Sequence, residues 1–288
     1  MKVETSDGWI LDVDRREPRG SRKGAIVLLH AMMVDRRSMD RPRGQGLASF
    51  LSNAGWEVYL ADFRGHGQSG PDPKRGGKWS YDDLVYKDVP ALVAAARESG
   101  GPVFVMGLSL GGHVSAASAG VGACDPDGLV LLSANVWMPR LEPSRKMGRK
   151  KGVRLTLFGG VTRLRGYFPS RRLRMGPADE SGEYVKDLHR FWRRDAWRSR
   201  EGVDWLRGLQ SYEKPVLAII GKGDEIMAHH AGARRWAENF PSLTFWLVGR
   251  GDHALQIDPD HIGLGADPRC RPLWAAVDHW METASSTD

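Results

Sequence analysis

The segment GPVFVMGLSLGGHV, residues 101–114, begins as a buried β-strand and continues directly into a helix, with Ser109 at the joint. The apolar run VFVM predicts the strand, and the small residues that follow predict the helix. A serine at a helix start is commonly an N-cap, because its hydroxyl accepts hydrogen bonds from free backbone N–H groups. Here, however, Gly107 and Gly111 stand two residues before and two residues after the serine, which indicates a more demanding turn.

The spacing Gly107-x-Ser109-x-Gly111 is typical of a nucleophilic serine on a strained strand-to-helix turn. Larger side chains at the two flanking positions would collide with neighbouring backbone, so glycine is favoured there. The turn lifts the serine Oγ above the sheet, and the free N–H of Leu110 at the helix N-terminus can stabilise an oxyanion. Because a strand precedes the serine and a helix follows it, we expect Ser109 to be a nucleophile and not only a cap.

The rest of the chain alternates short apolar strands with helices. This alternation predicts an α/β fold, in which right-handed crossovers build a mostly parallel central sheet with helices on both faces. In such sheets the ligand site lies beyond the carboxyl ends of the strands. The predicted strands are 8–17 at an edge, 25–30, 56–62, 103–107, 128–134, 215–221 and 243–249, and the predicted helices are 46–55, 81–100, 110–120, 230–239 and 272–283.

The alternation breaks over residues 135–210, which contain four tryptophans, many arginines and no clear strand. We interpret this segment as a helical cap inserted over the carboxyl ends of the strands, with residues 1–134 and 211–288 forming the core. Residues 140–208 carry 19 Lys or Arg and 8 Asp or Glu, a balance of +11, whereas the rest of the chain sums to −4. The basic face either attracts acidic substrates or anionic lipid, or is a solvated helical surface, which we favour.

A serine nucleophile needs a base, and the base needs an acid that orients it. Asp224 follows the end of a predicted strand by three residues, and His253 follows the next predicted strand by four. We therefore expect Asp224 to be the acid and His253 to be the base. Glu225 and Asp252 are the alternative carboxylates.

The chain order Ser109, Asp224, His253 resembles that of the α/β-hydrolase superfamily, and the resemblance covers nearly all of the chain outside residues 135–210. The stretch His30-Ala31-Met32-Met33 resembles the His-Gly-x motif of the oxyanion loop in this family, with Ala31 in place of glycine. The resemblance implies that the backbone N–H of Met32 is the second oxyanion donor, beside that of Leu110.

A further stretch, DFRGHGQS at residues 62–69, resembles the D-x-R-G-x-G-x-S loop of the same family. The resemblance implies a structural loop that Asp62 and Arg64 tie down. We interpret the remaining histidines as structural: His30 as a loop anchor, His66 as part of this loop, His113 as packed against the sheet, and His229 with His230 as a helix start and not a metal site.

The composition excludes several other classes of protein. The chain has 288 residues, enough for one large core, and no apolar run approaches the roughly 20 residues of a membrane span. Cys124 and Cys270 show no metal-ligand spacing, so we expect two reduced thiols in a cytoplasmic protein. We expect no metal and no cofactor. The net charge of +7 suggests nucleic-acid binding only weakly, because such binding leaves the serine, aspartate and histidine unexplained.

These observations predict a serine hydrolase that cleaves a small-molecule carboxylic ester through an acyl-enzyme. Acyltransferase, thioesterase and amidase or peptidase chemistry on the same scaffold remain alternatives, as does a non-catalytic binding protein of this fold. The oligomeric state is left open. Four residues of the cap segment either line an apolar acyl pocket or form the core of the cap itself: Trp137, Met138, Phe158 and Trp192.

Overall fold

The computed structural model describes residues 1–286. Its centre is an eight-stranded sheet in the order β1-β2-β4-β3-β5-β6-β9-β10. The first two strands join the edge in antiparallel fashion, and the other six are parallel. The strands are Lys2–Glu4 (β1), Ile10–Arg16 (β2), Gly24–Leu29 (β3), Trp56–Ala61 (β4), Val103–Leu108 (β5), Gly128–Leu132 (β6), Val216–Gly221 (β9) and Leu243–Val248 (β10).

Every residue of β3 to β6 and of β9 is buried, because helices cover both faces of this sheet. Alternate residues of a strand point to opposite faces, so Val27 and Leu29 pack in one apolar cluster while Ile26 and Leu28 pack in another. The first cluster includes α3 (Val89–Arg97), α4 (Leu110–Gly120) and α8 (His230–Ala237), and the second includes α1 (Leu47–Asn53), α9 (Gly263–Ala266) and α10 (Arg271–Ser285). The predicted α/β fold is confirmed.

The predicted helix over residues 81–100 is present but irregular. It begins as a short α-helix, Tyr81–Asp83 (α2), widens into a π-helical stretch, Leu84–Asp88, and continues as α3. Pro90 lies in the first turn of α3, directly after the π-helical stretch, and has no N–H to donate to the preceding turn. The widened turn therefore accommodates a proline that would break a regular helix.

Residues 135–210 lie between β6 and β9 and contribute no strand to the central sheet. They contain a long helix and a shorter one that pack against each other, with a two-stranded hairpin between them in the chain. We call this part the 135–210 segment. Its elements are α5 (Arg145–Arg165), β7 (Tyr167–Phe168), β8 (Glu180–Ser181), α6 (Gly182–Arg194) and α7 (Trp205–Gly208).

No helix within residues 1–286 combines the length and the apolar character that crossing a membrane requires.

Candidate active site

Ser109 lies at the joint of β5 and α4 with φ 52° and ψ −108°, a conformation that a non-glycine residue rarely adopts. The flanking glycines are a steric necessity. A Cβ at Gly107 would lie 2.2 Å from the carbonyl carbon of Gly111, and a Cβ at Gly111 would lie 2.5 Å from the carbonyl oxygen of Leu29. The local sequence therefore explains the turn, and the turn presents the serine at the carboxyl end of the central strand.

A hydrogen-bonded chain of three side chains runs from this serine. The Oγ of Ser109 is 2.9 Å from Nε2 of His261, and Nδ1 of the same imidazole is 2.6 Å from Oδ2 of Asp224. Asp224 follows β9 by three residues, is buried, and accepts a second hydrogen bond from the N–H of Ala228. An imidazole held in this way can remove a proton from the hydroxyl while the carboxylate fixes the tautomer.

The prediction that His253 is the base is wrong, because His261 bridges Ser109 and Asp224. His253 is exposed, sits in a left-handed turn with φ 46°, and packs its ring against Trp246 at a centroid distance of 4.6 Å. The preceding Asp252 binds Lys222 at 2.7 Å and so holds this turn on the outside of the molecule. Glu225, which follows Asp224 in the chain and was an alternative carboxylate, is exposed.

The loop after β10 continues for eight residues beyond His253 before it returns to the serine. The N–H of Gly223 donates to the carbonyl oxygen of Pro259 at 3.1 Å, which anchors the loop beside Asp224 two residues before His261. A Cβ at Gly221 would lie 2.1 Å from that same oxygen, so the close approach depends on glycine. The chain order of serine, aspartate and histidine suits either histidine, so the sequence pattern did not distinguish them.

The two predicted oxyanion donors, the N–H groups of Leu110 and Met32, have no hydrogen-bond acceptor within residues 1–286. Met33, the residue after Met32, is by contrast held on both sides. Its N–H donates to Oε1 of Glu180 at 2.5 Å, and its carbonyl oxygen accepts from the N–H of Ala178 at 3.0 Å. The 135–210 segment therefore holds the loop that carries Met32, a contact that no sequence pattern revealed.

The same carboxylate of Glu180 lies 3.2 Å from Nε2 of His66. Burial disfavours a charge on His66, but the attraction of Glu180 outweighs it and raises the pKa of the imidazole. His30 behaves in the opposite way, because its Nε2 accepts a hydrogen bond from the N–H of Phe63, and burial lowers its pKa to about 3. Both histidines are structural, as we interpreted them.

The residues of the 62–69 loop are tied down by charge pairs. Asp62 accepts hydrogen bonds from the N–H groups of Arg36 and Gln68. Arg64 is buried and lies between the carboxylates of Asp7 and Asp88. These contacts agree with the structural role that the resemblance implied.

Ser109 and His261 open onto a cavity of about 520 Å³ between the core and the 135–210 segment. Its wall is mainly apolar and includes no carboxylate among the described residues. Of the four pocket candidates, Trp137 and Phe158 line this cavity. The other two do not line it, because Met138 is fully buried in the apolar core and Trp192 lines a separate groove against Gly152.

His229 caps α8 by accepting a hydrogen bond from the N–H of Ala231, and its ring stacks on His230 at 4.3 Å. The interpretation of this pair as a helix start is confirmed. Within residues 1–286, no group of three or more His, Cys, Asp or Glu side chains is placed to hold a metal ion.

Comparison with known proteins places the fold and the family. The structure superposes on a carboxylesterase from Nitrososphaera gargenis with a TM-score of 0.66, 15% identity and 100% of both chains covered. It superposes on a monoacylglycerol lipase from Paleococcus ferrophilus with a TM-score of 0.62, 19% identity, and 95% of this chain and 99% of that chain covered. At these identities the likeness shows the fold alone.

Two sequence comparisons add to this. Triacylglycerol lipase 2 of Arabidopsis thaliana is 29% identical over an alignment of 132 residues, which covers 40% of this chain and about a third (32%) of the length of that relative. The family model described as "Hydrolase_4: Serine aminopeptidase, S33" matches residues 20–260, a range that includes Ser109 and Asp224 and ends one residue before His261. Because this match spans most of the sequence, the chain belongs to the serine aminopeptidase S33 family of α/β hydrolases.

Proposed function

We propose that this hydrolase cleaves carboxylic esters through an acyl-enzyme, with Ser109 as nucleophile, His261 as general base and Asp224 as the acid that orients it. The observation that carries the proposal is the continuous hydrogen-bonded chain from Ser109 through His261 to Asp224, at the mouth of an apolar cavity. Nδ1 of His261 donates to the carboxylate, which leaves Nε2 free to accept the serine proton.

In the first step the Oγ of Ser109 bonds to the carbonyl carbon of the ester while its proton passes to Nε2 of His261. The carbonyl oxygen becomes an oxyanion, which the N–H groups of Leu110 and Met32 stabilise by about 3 kcal/mol each. His261 then gives the proton to the departing alcohol. A water molecule, deprotonated by His261, attacks the acyl-enzyme and releases the acid and the free serine.

The cavity favours a neutral acyl group over the free N-terminus of a peptide. An aminopeptidase has to bind a substrate ammonium group, and a buried cation requires a charged or polar partner. Among the described residues of the cavity wall there is no Asp or Glu, and Arg154 adds a positive charge. Apolar side chains that include Leu155, Phe158 and Phe191 surround the remaining space, which suits the hydrocarbon part of an ester.

The test is to label the protein with a fluorophosphonate probe and to screen acyl esters, thioesters and amides of varied chain length. We expect the label on Ser109, and we expect the Ser109→Ala variant to lose ester hydrolysis by several orders of magnitude. Label on another serine, or undiminished turnover by Ser109→Ala, would contradict the proposal. Turnover of amides or thioesters but not of esters would replace the ester by one of those alternatives.

A further inference from the structure

One polar group in the wall of the apolar cavity has no part in the proposed hydrolysis. His113 lies one helical turn after Ser109 on α4 and lines the cavity together with Ser109 and His261. Burial, with a smaller contribution from His261, lowers the pKa of its imidazole to about 3. The ring is therefore neutral at physiological pH and carries a single N–H proton.

The neighbours of His113 decide which nitrogen holds that proton. Its Nδ1 is 2.7 Å from the Oη of Tyr81, and the same Oη accepts a hydrogen bond from Nε1 of Trp197 at 3.1 Å. An indole nitrogen only donates, so the buried O–H proton of Tyr81 has one acceptor within the described residues, which is Nδ1 of His113. Since Nδ1 accepts, the proton of His113 is on Nε2.

That Nε2–H group is left without a partner. No atom within residues 1–286 accepts a hydrogen bond from it, and it is not among the polar atoms that protein fully seals from solvent. The Tyr81 ring stacks on the imidazole with an interplanar angle of 7°, so the orientation of His113 is fixed. The wall thus presents an oriented hydrogen-bond donor, one helical turn from the serine, in otherwise mainly apolar surroundings.

Tyr184 is a second polar residue of the same wall. Tyr184 lines the cavity and its Oη has no hydrogen-bond partner among the described residues, but the protein seals this oxygen from the cavity, so a ligand there does not reach it. The ring of Tyr184 stacks on Tyr81, the residue that also stacks on His113, with an interplanar angle of 6°. Buried polar groups are nearly always paired in folded proteins, so the unpaired Nε2–H of His113, which protein does not seal, indicates a ligand with an oxygen atom at this point of the cavity.

Resting on the proposed ester hydrolysis, we propose that Nε2 of His113 selects esters that carry a further oxygen acceptor, such as an ether, hydroxyl or carbonyl oxygen, a few atoms from the scissile carbonyl. A purely hydrocarbon chain leaves this donor desolvated and unpaired, which disfavours binding. An oxygen at the right position pairs with it. His113 is therefore a specificity-determining residue, and the Trp197–Tyr81 pair is its positioning element.

The experiment compares isosteric substrates in which one oxygen replaces one CH₂ group. On the acyl side, 4-nitrophenyl 3-methoxypropanoate is matched with 4-nitrophenyl pentanoate. On the alcohol side, 2-methoxyethyl acetate is matched with butyl acetate. Each kcat/KM ratio is divided by the ratio of the hydroxide-catalysed rates, which removes the intrinsic reactivity of the esters. We expect the full chain to prefer the oxygen-containing member of one pair by about 5- to 10-fold, and the pair that responds tells which side of the ester the donor faces.

The His113→Phe variant keeps an aromatic ring and removes the donor, so we expect the preference to fall to 1 or below. Should that variant fail to fold, Tyr81→Phe serves instead, because it frees Nδ1 and allows the other tautomer, and the preference should fall by at least half. Tyr86→Phe is the matched control. Tyr86 accepts a 3.1 Å hydrogen bond from Trp205, as Tyr81 does from Trp197, but is not part of the cavity wall, so the preference should persist.

Hydrolysis of pentanoate or butyl esters with no preference for oxygen in either pair would overturn the role of His113 and leave the proposed function standing. A preference that survives in His113→Phe would also overturn it. If no ester is turned over and Ser109 is not labelled, the proposed function fails, and this inference fails with it.

Discussion

The central sheet and the long helix α5 of the 135–210 segment bury different kinds of side chain. In β3 to β6 and β9 every residue is buried and, apart from Glu57 and Tyr59, all are apolar or glycine. In the 21-residue helix α5 only three residues are buried, and they are Lys151, Leu155 and Thr162. Leu157 and Leu164 on the same helix are instead 62% and 88% exposed.

The difference shows that apolar burial alone does not position the wall of the cavity to which α5 belongs. Hydrophobic burial has no direction and scales with area, which suffices for a sheet sandwiched between helices. The 135–210 segment combines apolar packing, in which Tyr184, Phe191 and Trp205 join the same buried cluster as the sheet, with directed polar contacts to the core. The N–H of Trp79 donates to Ser181, the N–H of Tyr81 donates to Asp187, and the N–H of Met33 donates to Glu180. Such contacts fix orientation, and each is sensitive to a single substitution.

The largest expected effect lies on the core side. His261→Ala should lower kcat by at least about 10⁴-fold, because no other described side chain bridges Ser109 and Asp224. His253→Ala is the matched control and should stay within about 2-fold, since His253 is exposed and packs on Trp246. Ester hydrolysis measured on both purified variants decides the matter, and the reverse ranking would show that the loop after β10 takes another path.

The next largest effect is on the stability of the 135–210 segment. Nζ of Lys151 is fully buried and lies 2.9 Å from Oε1 of Glu142, which is itself 2% exposed. Burial lowers the pKa of Lys151 and raises that of Glu142. Lys151→Met leaves a buried carboxylate without its partner, so the free energy of unfolding should fall by about 3–5 kcal/mol.

Two further variants sharpen that measurement, which uses denaturant titration. Lys151→Met combined with Glu142→Gln removes both charges and should restore much of the loss. Lys186→Met breaks the exposed pair between Lys186 and Glu183 and should change stability by less than about 1 kcal/mol. Equal losses for the buried and the exposed lysine would mean that the segment does not depend on its buried pair.

The smallest expected effect concerns the contact between the two regions, in which Glu180 accepts a hydrogen bond from the N–H of Met33. Glu180→Ala removes the acceptor of the Met33 N–H and so loosens the loop that carries Met32. We expect kcat to fall about 10-fold with little change in KM. This loss is smaller than the loss in kcat on removing an oxyanion donor. Glu180→Gln keeps a carbonyl oxygen for that N–H and should recover most of the rate. Asp179→Ala is the control, because Asp179 binds Arg171 and not the Met33 loop.

The raised pKa of His66 adds a pH dependence to this contact. A histidine whose pKa is higher in the folded state contributes stability that is fully present below its unfolded pKa and is lost as pH rises through the folded pKa. The stabilisation from the His66–Glu180 pair should therefore weaken on going to alkaline pH, and Glu180→Gln should flatten that part of the stability profile.

For the activity measurement, a rise in kcat of Glu180→Ala, or equal losses of kcat in Glu180→Ala and Asp179→Ala, would refute the positioning role of Glu180.

Several features followed from the sequence because they depend on neighbours in the chain. The turn at Ser109 requires glycine two residues to each side, and the five-residue stretch 107–111 contains both glycines. Asp224 lies where a parallel strand ends, so counting from β9 was enough to find it. The alternation of apolar strands and helices predicted the parallel sheet, because buried strands need long apolar runs.

Tertiary structure alone decided between His253 and His261 and set the opposite wall of the cavity. The path of the loop after β10 depends on contacts between residues far apart in sequence, such as the N–H of Gly223 with Pro259 and the side chain of Lys222 with Asp252. The roles of Glu180, Lys151 and His113 depend on partners 147, 9 and 32 residues away. Periodicity reports burial and turn geometry, which are local, whereas the pairing of polar groups is fixed only when distant segments meet in the folded chain.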